Sequence, residues 1–144
     1  MTTTSTKPAT WFWVVSVLAL VWNLLGVGAY ISQVTMSPEA IQALPDDQRA
    51  ILESTPAWAT GAFAVAVWGG ALGSMLLLLR KSKAWGVFVV SFVGIVVQMV
   101  HAFLMSNSIE VYGPGGMIMP VMVLVFGAYL IWFAGKSRAK GWLT

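Results

Sequence analysis

The sequence predicts an all-α fold, a polytopic membrane four-helix bundle, and three observations carry that prediction. Of the 144 residues, 58% are hydrophobic and only 9% charged, against about 25% charged in soluble domains. The apolar residues gather into four runs, about 11–33, 57–79, 84–105 and 117–135. Each is close to the roughly 20 residues that a helix needs to cross a hydrocarbon core about 30 Å thick. The charges lie between the runs and sort by side. Lys7, Arg80, Lys81, Lys83, Lys136, Arg138 and Lys140 fall on one side, and all five acids, Glu39, Asp46, Asp47, Glu53 and Glu110, fall on the other with Arg49.

Cationic loops are retained in the cytoplasm, so both termini and the 80–83 turn are expected inside, with 34–56 and 106–116 outside. The net charge of +3 and the pI near 9.5 are therefore a topology signal and a contact for membrane lipid, and nucleic acid is not an expected partner. The chain has no cysteine, so single introduced thiols report cleanly. A cysteine replacing Ser82 is expected to resist an impermeant thiol reagent in intact cells while one replacing Gln48 reacts. Reversed labelling would invert the topology.

The first span follows a Thr- and Ser-rich lead with one cation, Lys7, and starts at Trp11 and Trp13, indoles suited to the membrane interface. That single cation and the length of the apolar run argue against a cleaved signal peptide, despite the small residues Val27-Gly28-Ala29. The outer loop 34–56 holds two helix starts. Ser37-Pro38-Glu39 places an N-cap before a proline at the first helical position, and Pro45-Asp46-Asp47 puts acids where the helix dipole is positive. Ile41, Leu44, Ile51 and Leu52 supply an apolar face for these short helices. The four loop acids lack the alternating spacing of a calcium loop.

The second span is crowded with small residues: Ala62, Ala66, Gly70 and Ser74 recur every four residues, and Gly69 and Gly73 form G-x-x-x-G beside them. Such stripes let helix backbones approach where lipid is as apolar as leucine, within the chain or in a homo-oligomer. The third span carries Gln98 and His101 and ends in a turn broken by Pro114-Gly115-Gly116. The fourth starts near Met117, tolerates Pro120 in its first turn, and ends at Lys136, Arg138 and Lys140, with Trp142 lying back on the interface.

Shifting the chain by 75 residues lays the first span on the third. Ser16, Ala19, Asn23, Gly26, Tyr30 and Gln33 fall on Ser91, Gly94, Gln98, His101, Met105 and Ser108, in steps of three and four that keep each set on one helical face. This pattern is compatible with a parallel two-plus-two internal repeat, an arrangement found in carriers and in inert bundles alike. Asn23, Tyr30, Gln33, Gln98 and His101 form a polar seam and are the candidate substrate-binding residues. Buried amides need partners, so the seam serves either as interhelical glue or as the lining of a pocket opening outward.

Chemistry is sparse. No Asp, Glu, Lys or Arg lies inside a span, which leaves no carboxylate relay for proton coupling. Nucleophile, base and orienter do not occur together, and phosphate loops and zinc spacings are missing, so the chain is not expected to be an enzyme or to hold a cofactor. One metal arrangement is available: His101 with Met99, Met105 and Met119 would suit Cu(I), although methionine more often fills irregular gaps.

Val21-Trp22-Asn23-Leu24-Leu25-Gly26, with Tyr30 and Gln33, and Glu110-Val111-Tyr112-Gly113-Pro114-Gly115-Gly116 resemble short four-helix bacterial membrane proteins loosely labelled "sugar transporter", and DoxX-like proteins share the size and helix count. The resemblance implies four spans in a bacterial inner membrane and carries over no functional residues. The expected function is to bind or pass a small neutral solute, as a homo-oligomer whose path forms between protomers or halves. The alternative is an accessory or structural subunit that binds lipid or a larger membrane complex.

Overall fold

The computed structural model describes residues 7–105, 108–113, 115 and 118–144. Four long helices, α1 (Thr10–Val34), α4 (Ala57–Leu78), α5 (Ala84–Val100) and α7 (Ile118–Ala139), are joined by the short helices α2 (Pro38–Gln42), α3 (Asp46–Ser54) and α6 (Ser108–Tyr112). A π-helical turn, His101–Met105, extends α5, so the third apolar helix runs Ala84–Met105 and all four are long and apolar enough to cross a membrane. The chain is an all-α, multi-pass membrane four-helix bundle. The fourth span reaches Ala139, beyond the expected 135, because Lys136 and Arg138 extend the last turn where cations complement the helix dipole. Met117, Pro114 and Gly116 lie outside the described residues, as do Ser106 and the lead 1–6. Next to them, Ser108–Tyr112 is helical where a plain turn was expected.

The small residues of α4 fix the order of packing. Gly94 of α5 sits against the α4 backbone, where an added Cβ would lie 2.9 Å from the Ala62 carbonyl oxygen and 3.0 Å from the Ala66 nitrogen. Gly69 would meet Ser91 at 3.0 Å and Gly73 would meet the Phe88 ring at 2.7 Å. Ser91 Oγ completes this contact by donating to the Ala66 carbonyl at 2.6 Å. Gly70 faces the other way, onto Asn23 of α1. Ala62, Ala66, Gly70, Gly73 and Ser74 are all buried, so the small stripe is used inside the chain, between α1 and α5, and is not left for a neighbour. The fourth helix packs on α5, with Gly127 against Ile95 and Phe92 and Gly135 against Trp85.

Two devices close the end that carries the cations. Arg80 takes a left-handed conformation (φ 57°) after α4, and the N–H of Lys81 reaches back to the Leu76 carbonyl at 2.8 Å, a Schellman ending usually given to glycine. The Arg80 Nε then donates to the Trp142 carbonyl at 2.8 Å, and the Arg80 carbonyl accepts from the Thr144 N–H at 2.9 Å. Gly141, with φ 79°, turns the chain inward. Trp142 is therefore buried in the core and does not lie on the interface as expected. It joins Phe12 (centroids 5.6 Å) and Trp11 (5.3 Å), while Phe12 stacks on Phe133 at 5.7 Å.

At the acid-bearing end the loop behaves as expected. Ser37 Oγ accepts from the Ala40 N–H at 3.1 Å, and Ile41, Leu44, Ile51 and Leu52 are half-buried while Glu39, Asp46, Asp47 and Glu53 are exposed. Arg49 pairs with Asp46 and donates to the Gln42 carbonyl at 3.3 Å, which ties α3 to α2.

Candidate functional site

The helices do not pack equally. α1 rests on α4, α4 on α5 and α5 on α7, but α1 and α7 meet closely only at the basic end, through the Trp11, Phe12 and Phe133 rings. Above that cluster both helices present bulky side chains, including Trp22 and Leu25 on α1 and Phe126 and Leu130 on α7. Helix separation follows the size of the side chains at the contact. The glycine-lined α4–α5 pair is drawn together, and the α1–α7 pair stands apart. The result is a cavity of about 410 Å3 walled by all four long helices.

Its walls are largely apolar: Trp22, Phe63, Phe88, Val123 and Phe126 are among the lining residues. Polar groups come from Asn23, Gln98 and Ser91. Asn23 is held in place, its Nδ2 donating to the Ala19 carbonyl at 2.8 Å and to Ser74 Oγ at 3.3 Å. Ser74 in turn donates to the Gly70 carbonyl at 2.8 Å. A side chain at Gly70 would overlap the Asn23 amide, its Cβ 2.7 Å from Asn23 Cγ. The α1 amide and the α4 glycine therefore fit as a pair. Gln98 lines the cavity from α5 and is half-buried.

The five-residue seam is thus divided. Asn23 and Gln98 meet at one cavity, whereas Tyr30, Gln33 and His101 do not line it. Tyr30 stacks edge-on against Phe63 at 5.5 Å, and His101 stands edge-on to Trp58 of α4 at 5.5 Å rather than beside Asn23. The cause lies in the π-helical turn. A π turn takes in about one residue more than an α turn, so side chains beyond His101 are rotated by roughly 100° from where a continuous α-helix would put them. Met105 consequently points outward, 63% exposed, while Tyr30, its counterpart in the 75-residue shift, is half-buried. The earlier pair also differs in partners: Ser91 bonds to α4, whereas buried Ser16 has no partner among the described residues. The copper arrangement is divided in the same way, with Met99 and Met119 on the cavity wall and His101 and Met105 away from it.

Sequence reasoning missed the aromatic walls. Trp22 and Phe126, whose rings touch edge-on at 5.0 Å, read in sequence as ordinary apolar span residues. The only signal was position, since Trp22 directly precedes the midspan amide.

No family model, curated protein or solved structure matches the chain. What the fold and cavity define is a class, a multi-pass membrane protein with an internal pocket among its spanning helices.

Proposed function

We propose that the protein binds a small neutral solute in the cavity between α1, α4, α5 and α7. The observation that supports this reading is the combination of a pocket of about 410 Å3 within one chain, inside the usual range for small-ligand sites, with two amides at depth. Four short helices thus enclose usable room without a second protomer. Apolar walls favour a solute with a compact hydrocarbon or ring body. Asn23 and Gln98 suit one or two hydroxyl, carbonyl or amide groups on it. No charged side chain lines the cavity, so an ionic solute would lose its hydration uncompensated. Passage towards the basic end requires the Phe12, Phe133 and Trp142 rings to part, and without an intramembrane carboxylate such passage follows the solute's own gradient.

Equilibrium binding of radiolabelled indole, cyclohexanol and glucose to the protein in nanodiscs tests this. Binding of indole or cyclohexanol above that of glucose is expected, and Gln98→Leu should weaken it by about tenfold, the worth of one hydrogen bond. If the native protein binds none of the three, the solute reading gives way to that of an accessory membrane subunit.

A further inference from the structure

The outer side of the α1–α7 gap is a feature distinct from the cavity behind it. Val15, Leu18 and Leu25 face Phe126 and Tyr129 across a groove of about 420 Å3, and Leu18 and Leu25 are 61% and 68% exposed. The groove runs along the spans and narrows to the ring cluster at the basic end. Two lysines stand at that foot. Lys140 Nζ lies 4.8 Å from the Trp142 ring centroid and 5.5 Å from that of Trp11, and Lys136 Nζ lies 5.2 Å from that of Trp132. Both lysines are exposed. Among the described residues the one carboxylate ion pair is that of Arg49 with Asp46, at the opposite end. The lysines rest on indole faces with no acid to neutralise them.

Length and charge together select the occupant. Val15 and Leu25 are ten residues apart, about 15 Å along a helix, which is the depth of one leaflet of a roughly 30 Å core. The groove thus has the reach of one acyl chain, beginning where a headgroup sits and ending near the midplane. A second copy in the same membrane orientation would bring its own cations to Lys136 and Lys140, since all five acids lie beyond the other ends of the spans. Like charges would then meet across the contact. An anionic lipid brings the opposite charge with the chain attached.

We propose that the α1–α7 seam is a binding site for an anionic phospholipid, with one acyl chain along Val15 to Leu25 and the phosphate at Lys136 and Lys140. The chain closes the lateral gap outside the Trp22–Phe126 pair, so the bound lipid forms the missing fourth side of the bundle. The site does not depend on what the cavity holds.

Native mass spectrometry of the full-length protein, delipidated and then offered dioleoylphosphatidylglycerol or dioleoylphosphatidylcholine, tests the site. One phosphatidylglycerol per chain is expected, with phosphatidylcholine retained more weakly. The double variant Lys136→Gln/Lys140→Gln should lower phosphatidylglycerol occupancy on the order of tenfold and leave phosphatidylcholine unchanged. The double variant Lys81→Gln/Lys83→Gln removes the same charge at the α4–α5 turn and should leave occupancy near native. Leu18→Trp, which fills the groove without touching a charge, should release both lipids and settles the matter if the first variant does not fold. Equal loss from the two lysine pairs would mean diffuse surface attraction and would overturn the proposal. So would equal retention of the two lipids, full competition by inorganic phosphate, or a dimer in place of a lipid adduct.

Discussion

Gly94→Leu is expected to prevent the bundle from forming, while Gly86→Leu on the same helix leaves it intact. The two glycines differ only in what a side chain would meet. Around Gly86 there is open space within 4 Å, whereas a Cβ at Gly94 would press on the Ala62 carbonyl oxygen and the Ala66 nitrogen. These are backbone atoms of a neighbouring helix and cannot rotate away. Overpacking a core that can adjust costs about 1–3 kcal/mol, and here the adjustment would have to separate α4 from α5. That separation breaks the 2.6 Å bond from Ser91 to the Ala66 carbonyl and withdraws α5 from the helix that also holds α1. A loss above about 3 kcal/mol is therefore expected. Steric-trap unfolding in bicelles checks it, and an unfolding free energy for Gly94→Leu equal to that for Gly86→Leu would show that α4 and α5 are not in close contact. Gly70→Leu is gentler at the backbone, because the Asn23 amide can swing aside, but it leaves Ser74 without its cross-helix partner.

Much of this architecture is legible in the residues. Span lengths follow from hydrocarbon thickness, and the loop helices from Ser37 and the Pro45-Asp46-Asp47 start. The small stripe on α4 marks the tightest helix contacts because nothing but side-chain size governs how closely two backbones approach in lipid. The candidate site is only half legible. Asn23 and Gln98 could be paired from their shared place in the 75-residue shift, but the shift assumes one continuous helical register. The π-helical turn at His101–Met105 breaks that register, and no residue type announces it. His101, Tyr30 and Gln33 were therefore gathered into a seam that the backbone does not maintain. The cavity itself was illegible for another reason. It arises from the difference between a glycine-lined α4–α5 contact and an α1–α7 pair kept apart by Trp22, Leu25, Phe126 and Leu130. That is a relation between helices, whereas periodicity describes each helix alone.

The central claim, that the space between the helices receives small neutral molecules, is tested most directly by thiol labelling at two positions of α7. Val123 lines the cavity and is half-buried, whereas Val125, two residues on, faces outward and is 56% exposed. A thiol reacts as its thiolate, which forms where water reaches it and not in hydrocarbon. N-ethylmaleimide is itself small, neutral and mostly apolar, with carbonyls that an amide can bind. In liposomes, Val123→Cys is expected to react with it at least about tenfold faster than Val125→Cys, the reverse of their order of exposure, and indole should slow the reaction at position 123 alone. Equal rates, or faster reaction at position 125, would show that the gap between the helices is dry and closed, and would contradict the account.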